Sequence, residues 1–287
     1  MITRSSIFAG QFYPRNENSL RNTIEKFGGG INSEKKDIVG CVVPHAGYIY
    51  SGSVQTKVFK SIGNDDPIFV ILGPNHGGLG PIASIMTSGE WKTPLGNASI
   101  NTTLAEKVLN GSKILEKDMT AHDQEHSIEV QLPWLQYFFE NVDFVPICLN
   151  TGMMDSTGFE DIGKSIKEST EGIERDVVVI ASSDFTHYGE RYGYTPVDGP
   201  VEKRLNFIEK VDREVAGKIV NLDSEGFLEI INKYRATICG YGPIATMLHS
   251  LRGVAGMGEI EEYTTSYEVS GDVSSIVGYC GITIPRK

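Results

Sequence analysis

Three runs of apolar, largely β-branched residues in this chain are each followed within a few positions by a histidine. Residues 38–43 lead to His45, residues 68–72 to His76, and residues 176–182 to His187. Runs of this length and composition are typical of strands that are buried on both faces of a parallel sheet. Because ligands bind beyond the carboxyl ends of such strands, we expect the three histidines to meet in one crevice.

The segments between these runs predict an α/β fold. Val54, Val58 and Ile62 recur at helical spacing between the first two runs, which indicates a βαβ unit. With 287 residues and 40% hydrophobic content the chain can bury a substantial core, and we predict one domain over residues 1–287. Residues 91–96 are predicted to be an irregular loop, and residues 188–200 a surface loop or lid.

Charge and cysteine usage exclude several classes of protein. A net charge of -11 argues against a general nucleic-acid or anionic-membrane surface. No uncharged apolar run approaches the roughly 18 residues that a membrane span needs, and no secretory leader is indicated. The four cysteines show no close pairing, so we expect reduced thiols and a cytoplasmic protein. The oligomeric state is left open.

The strand-end histidines suggest a metal site. A borderline divalent ion binds two or three imidazoles together with a carboxylate or a thiolate. His45 and His76 would supply the imidazoles, and a third donor is sought among four residues: Asp184, His187, Glu125 and Cys239. Cys239 is favoured because glycine follows it and a predicted helix begins just beyond, which can lower the pKa of a thiol. The alternative interpretation is that Cys239 is a small buried hydrophobic residue.

Three further histidines lie outside this donor set, and residue types of two other chemistries are present. His126 is a candidate pocket residue or an ion-pair partner of its acidic neighbours, His122 is predicted to flank a helix, and His249 to be solvated. Asp184 and His187 with two serines contain the residue types of a hydrolase triad, but no G-x-S-x-G elbow is present. The glycine-rich residues 77–80 lack the Lys-Ser/Thr of a phosphate-binding loop.

A series of short motifs, in order along nearly the whole chain, resembles the MEMO family. The motifs comprise residues 9–14, 43–48 with 51–52, 73–76, 91–96, 125–129 with 132–133, 182–185 with His187, and 239–240. That family is similar in fold to the class III extradiol dioxygenases of the protocatechuate 4,5-dioxygenase type. The resemblance therefore implies a three-layer α/β/α sandwich around a mixed, largely parallel central sheet. Archaeal and bacterial members are also called AmmeMemoRadiSam system protein B.

The resemblance also implies a ligand set. The dioxygenases hold Fe(II) with two histidines and a glutamate. In the MEMO family the corresponding pocket resembles a set of two histidines and a cysteine, which His45, His76 and Cys239 match here. His187 would be the additional pocket histidine, with Asp184 beside it in a catalytic role. A thiolate softens the site, so Fe(II) is expected first, with Cu(I) or zinc as alternatives and a metal-free crevice as a further one.

Two functions follow from this resemblance. The first is a metal-dependent redox enzyme, an oxidoreductase related to the extradiol dioxygenases. The second is a binding module without catalysis, since animal members of the family are regarded as adaptors for phosphotyrosine peptides. In that case an aromatic or peptide ligand would contact Phe12, Tyr13, Tyr48 and His126.

Overall fold

A computed structural model describes residues 2–29 and 33–287. Within these residues twelve strands form one sheet: β1 (Thr3–Arg4), β2 (Ile38–Val43), β3 (Ile68–Pro74), β4 (Ala83–Ile85), β5 (Glu90–Thr93), β6 (Gly96–Ile100), β7 (Glu116–Lys117), β8 (Asp143–Leu149), β9 (Val177–Ser182), β10 (His187–Tyr188), β11 (Glu259–Thr265) and β12 (Ile276–Pro285). The helices are α1 (Glu17–Gly28), α2 (Tyr48–Ser61), α3 (Thr102–Gly111), α4 (Thr120–Asp123), α5 (Leu132–Phe138), α6 (Ser156–Thr170), α7 (Val201–Val220), α8 (Ser224–Tyr234), α9 (Tyr241–Ser250) and α10 (Ser266–Ser270).

The middle of the sheet is parallel. Strands β6, β8, β3, β9 and β2 lie side by side in that order, and each adjacent pair runs parallel. β12 adds to β2 in the antiparallel direction and carries β10 and β11 at the edge. Every residue of β2 and β3 is buried, as expected for strands that are covered on both faces. The prediction of a mixed, largely parallel sheet is therefore confirmed.

Helices cover both faces of the sheet. A side chain added at Gly40 of β2 would approach Met247 of α9, whereas one added at Gly281 of β12 would meet Val58 of α2. Gly40 pairs with Ile284, three positions from Gly281, so these two glycines face opposite sides of the sheet. α1 and α5 pack with α2, and α3, α6 and α8 pack with α9 or with each other. The three-layer α/β/α arrangement is thus confirmed.

One segment differs from its prediction, and a second is anchored more firmly than predicted. Residues 91–96 form a hairpin instead of an irregular loop, since β5 and β6 pair through Thr93 and Gly96, whose φ of +123° suits the turn. Residues 188–200 are largely exposed, as predicted for a surface loop, but they are not a free lid. Tyr188 and Tyr194 are buried in a small cluster with Ile208 of α7, which anchors the segment.

The strand order decides where the histidine-bearing loops lie. β3, β9 and β2 are adjacent and parallel, so the loops that follow them begin at one edge of the sheet. These loops contain His76, His187 and His45, respectively. In the described residues no helix is both long and apolar enough to cross a membrane.

Candidate metal centre

The hydrogen bonds of Ser182 fix which nitrogen of His45 is free. The hydroxyl of Ser182 donates to the carbonyl of Ser127 at 2.6 Å and accepts from Nε2 of Gln131 at 2.8 Å. It also lies 3.0 Å from Nδ1 of His45. Because its single proton is already donated, Nδ1 of His45 must be the donor to Ser182, and Nε2 keeps its lone pair. Burial lowers the pKa of His45 well below its ordinary value, so the ring is neutral.

Glu125 orients His76 through Nδ1. Burial lowers the pKa of His76, but hydrogen bonds to Cys239 and Glu125 outweigh this effect and raise it to about 10, so the ring is cationic in the metal-free protein. The carboxylate accepts from Nδ1 and the backbone N–H of His76 at 2.9 and 2.7 Å, and from the amides of His126 and Ser127 at 2.8 Å each. Burial opposes ionisation, but these donors hold the pKa of Glu125 below its usual range. Glu125, a candidate donor to metal from sequence, is therefore occupied in orienting His76. Nε2 of His76 faces away from Glu125, and the side chain is 36% exposed.

Close packing brings the Glu125 segment to the end of β3. A Cβ at Gly73 would lie 2.4 Å from the hydroxyl oxygen of Ser127, so this strand position accepts only glycine without displacement of the segment. The same hydroxyl donates to the carbonyl of Pro74 at 3.0 Å. The glycine of the Gly73-Pro74 break therefore allows Glu125 to reach His76.

A third imidazole joins the first two. His45, His76 and His126 each offer a ring nitrogen, and these atoms lie within 4.8 Å of one another. The rings of His76 and His126 are stacked with centroids 4.7 Å apart, and Phe12 covers His126 at 4.4 Å. Burial, with His45 nearby, lowers the pKa of His126 to about 3. A neutral ring is available as a further nitrogen donor or as an aromatic wall.

The thiol of Cys239 lies against the same cluster. Its Sγ is 3.2 Å from Nε2 of His45 and 3.7 Å from the carbonyl oxygen of Asp184. Gly240 permits this approach, because a Cβ there would lie 2.4 Å from Cβ of Ser183. The expectation of a lowered thiol pKa is wrong: burial outweighs the influence of His76 and raises the pKa of Cys239. The helix α9 beyond it does not overcome this desolvation.

His187 and Asp184 are held beside this cluster. Nδ1 of His187 lies 2.9 Å from the carbonyl oxygens of Phe185 and of Thr237, which can only accept, so Nδ1 carries a proton. Oδ1 of Asp184 accepts the backbone N–H of His45 at 2.8 Å. Burial raises the pKa of the Asp184 carboxyl. The arrangement leaves Nε2 of His187 open for proton exchange.

Two predicted ligand-contacting residues lie in the core. Tyr13 and Tyr48 are only 3% and 1% exposed, and their hydroxyls donate to Glu129 and to the carbonyl of Val130. Their engaged hydroxyls and buried rings offer no surface to a ligand, so this part of the prediction is corrected. Phe12, by contrast, is partly exposed and contacts His126.

The prediction that His249 is solvated is wrong, because its side chain is buried. His122, predicted to flank a helix, lies in the short helix α4 and is also buried. His122 packs edge-on against Trp91, and burial lowers its pKa to about 3. Neither residue belongs to the three-histidine cluster.

Several residues of the site could not be assigned their roles from the sequence. Ser182 and Gln131 orient His45, and Phe8 packs against His126 with centroids 5.5 Å apart. Their positions follow from the strand order and from the path of the N-terminal segment. The adjacency of Glu125 to His126 in sequence, within the motif at 125–129, indicated that this loop belongs to the site.

The thiols should differ in reactivity. We expect Cys239 of the metal-free protein to be alkylated first by iodoacetamide, because Cys41, Cys148 and Cys280 are buried and burial raises their pKa values further. Mass spectrometry of the peptides after timed exposure measures the order. Simultaneous modification of Cys41 and Cys239 in folded protein would contradict the prediction.

Comparison with known proteins gives a consistent result. A family model described as Memo-like protein matches residues 4–283. A MEMO1 family protein of Pyrococcus furiosus is 40% identical over 294 residues, covering 99% of this chain and 100% of the relative. Another from Methanopyrus kandleri is 40% identical over 299 residues, with the same two coverages.

A solved structure of an uncharacterized protein from Escherichia coli K12 has a similar fold. The TM-score is 0.50 at 16% identity, over 86% of this chain and 99% of the other. This likeness concerns the fold alone, whereas the family match and the two relatives extend over almost every residue. The chain therefore belongs to the family of Memo-like proteins.

Proposed function

We propose that this chain binds a redox-active metal ion through Nε2 of His45, Nε2 of His76 and Sγ of Cys239. The observation that carries the proposal is the orientation of the two imidazoles. Ser182 and Glu125 each accept a hydrogen bond from Nδ1 of one ring, which turns both Nε2 atoms toward the thiol of Cys239. Nε2 of His45 has a free lone pair, whereas a bound cation must displace the Nε2 proton of His76, whose pKa is raised to about 10. A carboxylate behind a metal-binding histidine is the usual arrangement that fixes its orientation and increases its basicity.

The donor set fits Fe(II) first, with Cu(I) as a redox-active alternative and zinc as one that would bind without redox chemistry. Two imidazoles and a thiolate combine borderline and soft donors, and such sites accept these three ions. The raised pKa of the Cys239 thiol means that a bound cation must displace its proton. When bound, Fe(II) would supply Lewis acidity and one-electron chemistry. His126 is the nearby neutral imidazole that could complete the set.

The chain's own residues would bind and protonate a substrate at this crevice. His187 has its Nδ1 proton held by two carbonyl oxygens, so its Nε2 can take a proton and return it. Asp184 braces the loop of His45 by accepting two consecutive backbone N–H groups. Phe12 and His126 form a planar wall that would orient an aromatic substrate and exclude water.

The test measures metal binding and oxygen consumption together. Protein purified without oxygen and reconstituted with Fe(II) should bind about one ion per chain and consume O2 with a catechol or hydroquinone as reductant. His45→Gln should lose both properties, while His249→Gln, which alters a buried histidine outside the cluster, should keep them. Parent protein that binds Fe(II) but consumes no O2 with any phenol would remove the redox part of the proposal.

The second candidate is a binding module that uses the same crevice without catalysis. The contact of Phe12 with His126 favours it, because partly exposed planar groups can receive an aromatic side chain. Metal-free protein that binds a phosphotyrosine peptide, with binding lost in Phe12→Ala, would support this function. Absence of such binding, with metal binding intact, would eliminate it.

Two further predictions of the sequence remain part of this proposal. A cytoplasmic location is supported by four cysteines that are all free thiols. A single domain over residues 1–287 is supported by one hydrophobic cluster whose members extend from Ala9 to Ile284.

A further inference from the structure

A buried carboxylate lies on the far side of the loop that carries His187. Asp212 is in the middle of α7 and is 0% exposed, between the buried apolar residues Val211 and Val215 of the same helix. Its Oδ1 accepts from the backbone N–H and the hydroxyl of Thr186 at 3.1 and 2.6 Å. Its Oδ2 accepts from the hydroxyl of Tyr263 at 2.8 Å. Three donors therefore converge on one side chain.

The peptide unit between Phe185 and Thr186 connects this carboxylate to the imidazole of His187. This peptide is trans, so its N–H and C=O groups point in opposite directions. Asp212 accepts the N–H, and the C=O on the other side accepts from Nδ1 of His187 at 2.9 Å. A rotation of this peptide would break both bonds together. The Asp212 carboxylate thus holds the plane of the 185–186 peptide, whose carbonyl orients the His187 ring.

The surrounding backbone makes room for Asp212. A Cβ added at Gly278 of β12 would lie 2.1 Å from Oδ2 of Asp212, so this strand position is open only because it is glycine. Gly278 also pairs with the same loop, accepting from the N–H of Phe185 and donating to the carbonyl of Thr186. Residues 185–186 are therefore hydrogen-bonded to β12 and to α7.

Burial of the Asp212 carboxylate at this position is energetically unfavourable. Among the described residues Asp212 forms no ion pair, and burial raises its pKa to about 7 despite the three donors. An apolar residue would be the ordinary choice on the buried face of α7. A costly buried polar group that is fully hydrogen-bonded can specify one local arrangement. The arrangement specified here is that of the segment immediately before His187.

We propose that Asp212 is a positioning residue, which holds the 185–186 peptide and thereby keeps the imidazole of His187 in one orientation and one tautomer. The inference rests on the proposed role of His187 in proton transfer. The inference predicts that Asp212, which does not contact the crevice, determines which ring nitrogen of His187 is unprotonated. Tyr263 and Thr186 are the two partners that keep Asp212 in place.

The experiment observes the imidazole directly by nitrogen NMR of histidine-labelled, metal-free protein at a pH above 7.5. The parent should give a single Nδ1–H tautomer for His187, assigned by its loss in His187→Gln. Asp212→Ala should shift this signal toward that of the Nε2–H tautomer, because release of the Phe185 carbonyl leaves Nδ1 with the Thr237 carbonyl as its remaining acceptor. Asp212→Asn should restore the parent signal, since its Oδ1 still accepts from Thr186 and its amide can donate to Tyr263.

Matched controls separate positioning from general stability. Ser165→Ala removes a buried hydrogen bond between α6 and the carbonyl of Val108, and it should leave the His187 signal unchanged. Should Asp212→Ala fail to fold, Asp212→Val removes the same acceptor from the Thr186 N–H while filling more of the space. A folded Asp212→Ala or Asp212→Val protein with the parent tautomer would overturn the inference.

Metal titration of the same variants keeps the two proposals distinct. Fe(II) affinity should be the same in the parent and in Asp212→Asn, because none of the proposed ligands contacts Asp212. Parent protein that binds no metal would contradict the proposed function, whereas the tautomer of His187 would still decide the role of Asp212.

Discussion

Glu129→Ala should lower the free energy of unfolding by about 3–5 kcal/mol, the usual effect of leaving one charge of a buried ion pair unpaired. Oε2 of Glu129 lies 2.6 Å from Nη1 of Arg4, and the two side chains are 1% and 2% exposed. The carboxylate also accepts from the hydroxyl of Tyr13 and from the backbone N–H groups of Ile7 and Phe8. Its removal leaves a buried guanidinium and three further donors without this acceptor.

Urea denaturation monitored by tryptophan fluorescence measures this effect. Glu17→Ala is the matched control, because Glu17 pairs with Arg21 on the surface of α1 and should change stability by no more than about 1 kcal/mol. A Glu129→Ala protein as stable as the control would show that water or a rearranged neighbour replaces the lost partner.

The same ion pair connects the N-terminal segment to the candidate site. Arg4 donates from Nη2 to the carbonyl of Glu125 at 2.8 Å and from Nε to the carbonyl of His122 at 2.7 Å. The segment that it anchors continues to Phe12, which covers His126. Loss of the pair should therefore disturb the wall of the crevice as well as the stability of the chain.

The sequence predicts those parts of the site that depend on the ends of strands. Three uninterrupted apolar runs could only be buried in one parallel sheet, and the loops after them then begin at the same edge. Once β3, β9 and β2 are neighbours, His76, Asp184 and His45 come together without further information. Sequence alone could indicate which loops meet, because the apolar pattern determines which strands are central.

The sequence could not predict contacts made by residues far from these strands. His122 resembles a helix-flanking residue in its local context, but the N-terminal segment and Trp91 enclose it. Asp212 lies in a helix with an ordinary amphipathic pattern, and only the position of Thr186 explains a carboxylate there. The pKa of Cys239 likewise depends on desolvation by surrounding elements, which outweighs the nearby start of α9.

Cys239→Ser should weaken Fe(II) binding by more than about 100-fold, a larger loss than the roughly 10–100-fold usual for residues that only support a ligand. A serine hydroxyl is a harder and poorer ligand that stays protonated at neutral pH, so it cannot replace a thiolate in charge or softness. The loss should be larger still for Cu(I), which prefers sulfur. Serine is close to cysteine in size, so the contact with His45 should change little in shape.

Calorimetric titration without oxygen measures the affinities, and two variants serve as controls. Cys148→Ser alters a buried thiol that donates to the carbonyl of Ala121, and it should leave metal affinity unchanged if the protein folds. His187→Ala should also retain much of the affinity while impairing any turnover, because the proposal gives His187 a proton-transfer role outside the ligand set. Equal affinity of Cys239→Ser and the parent protein would remove the cysteine from the ligand set. His126 would then be the candidate for the third donor, since its ring nitrogen lies within 4.8 Å of those of His45 and His76.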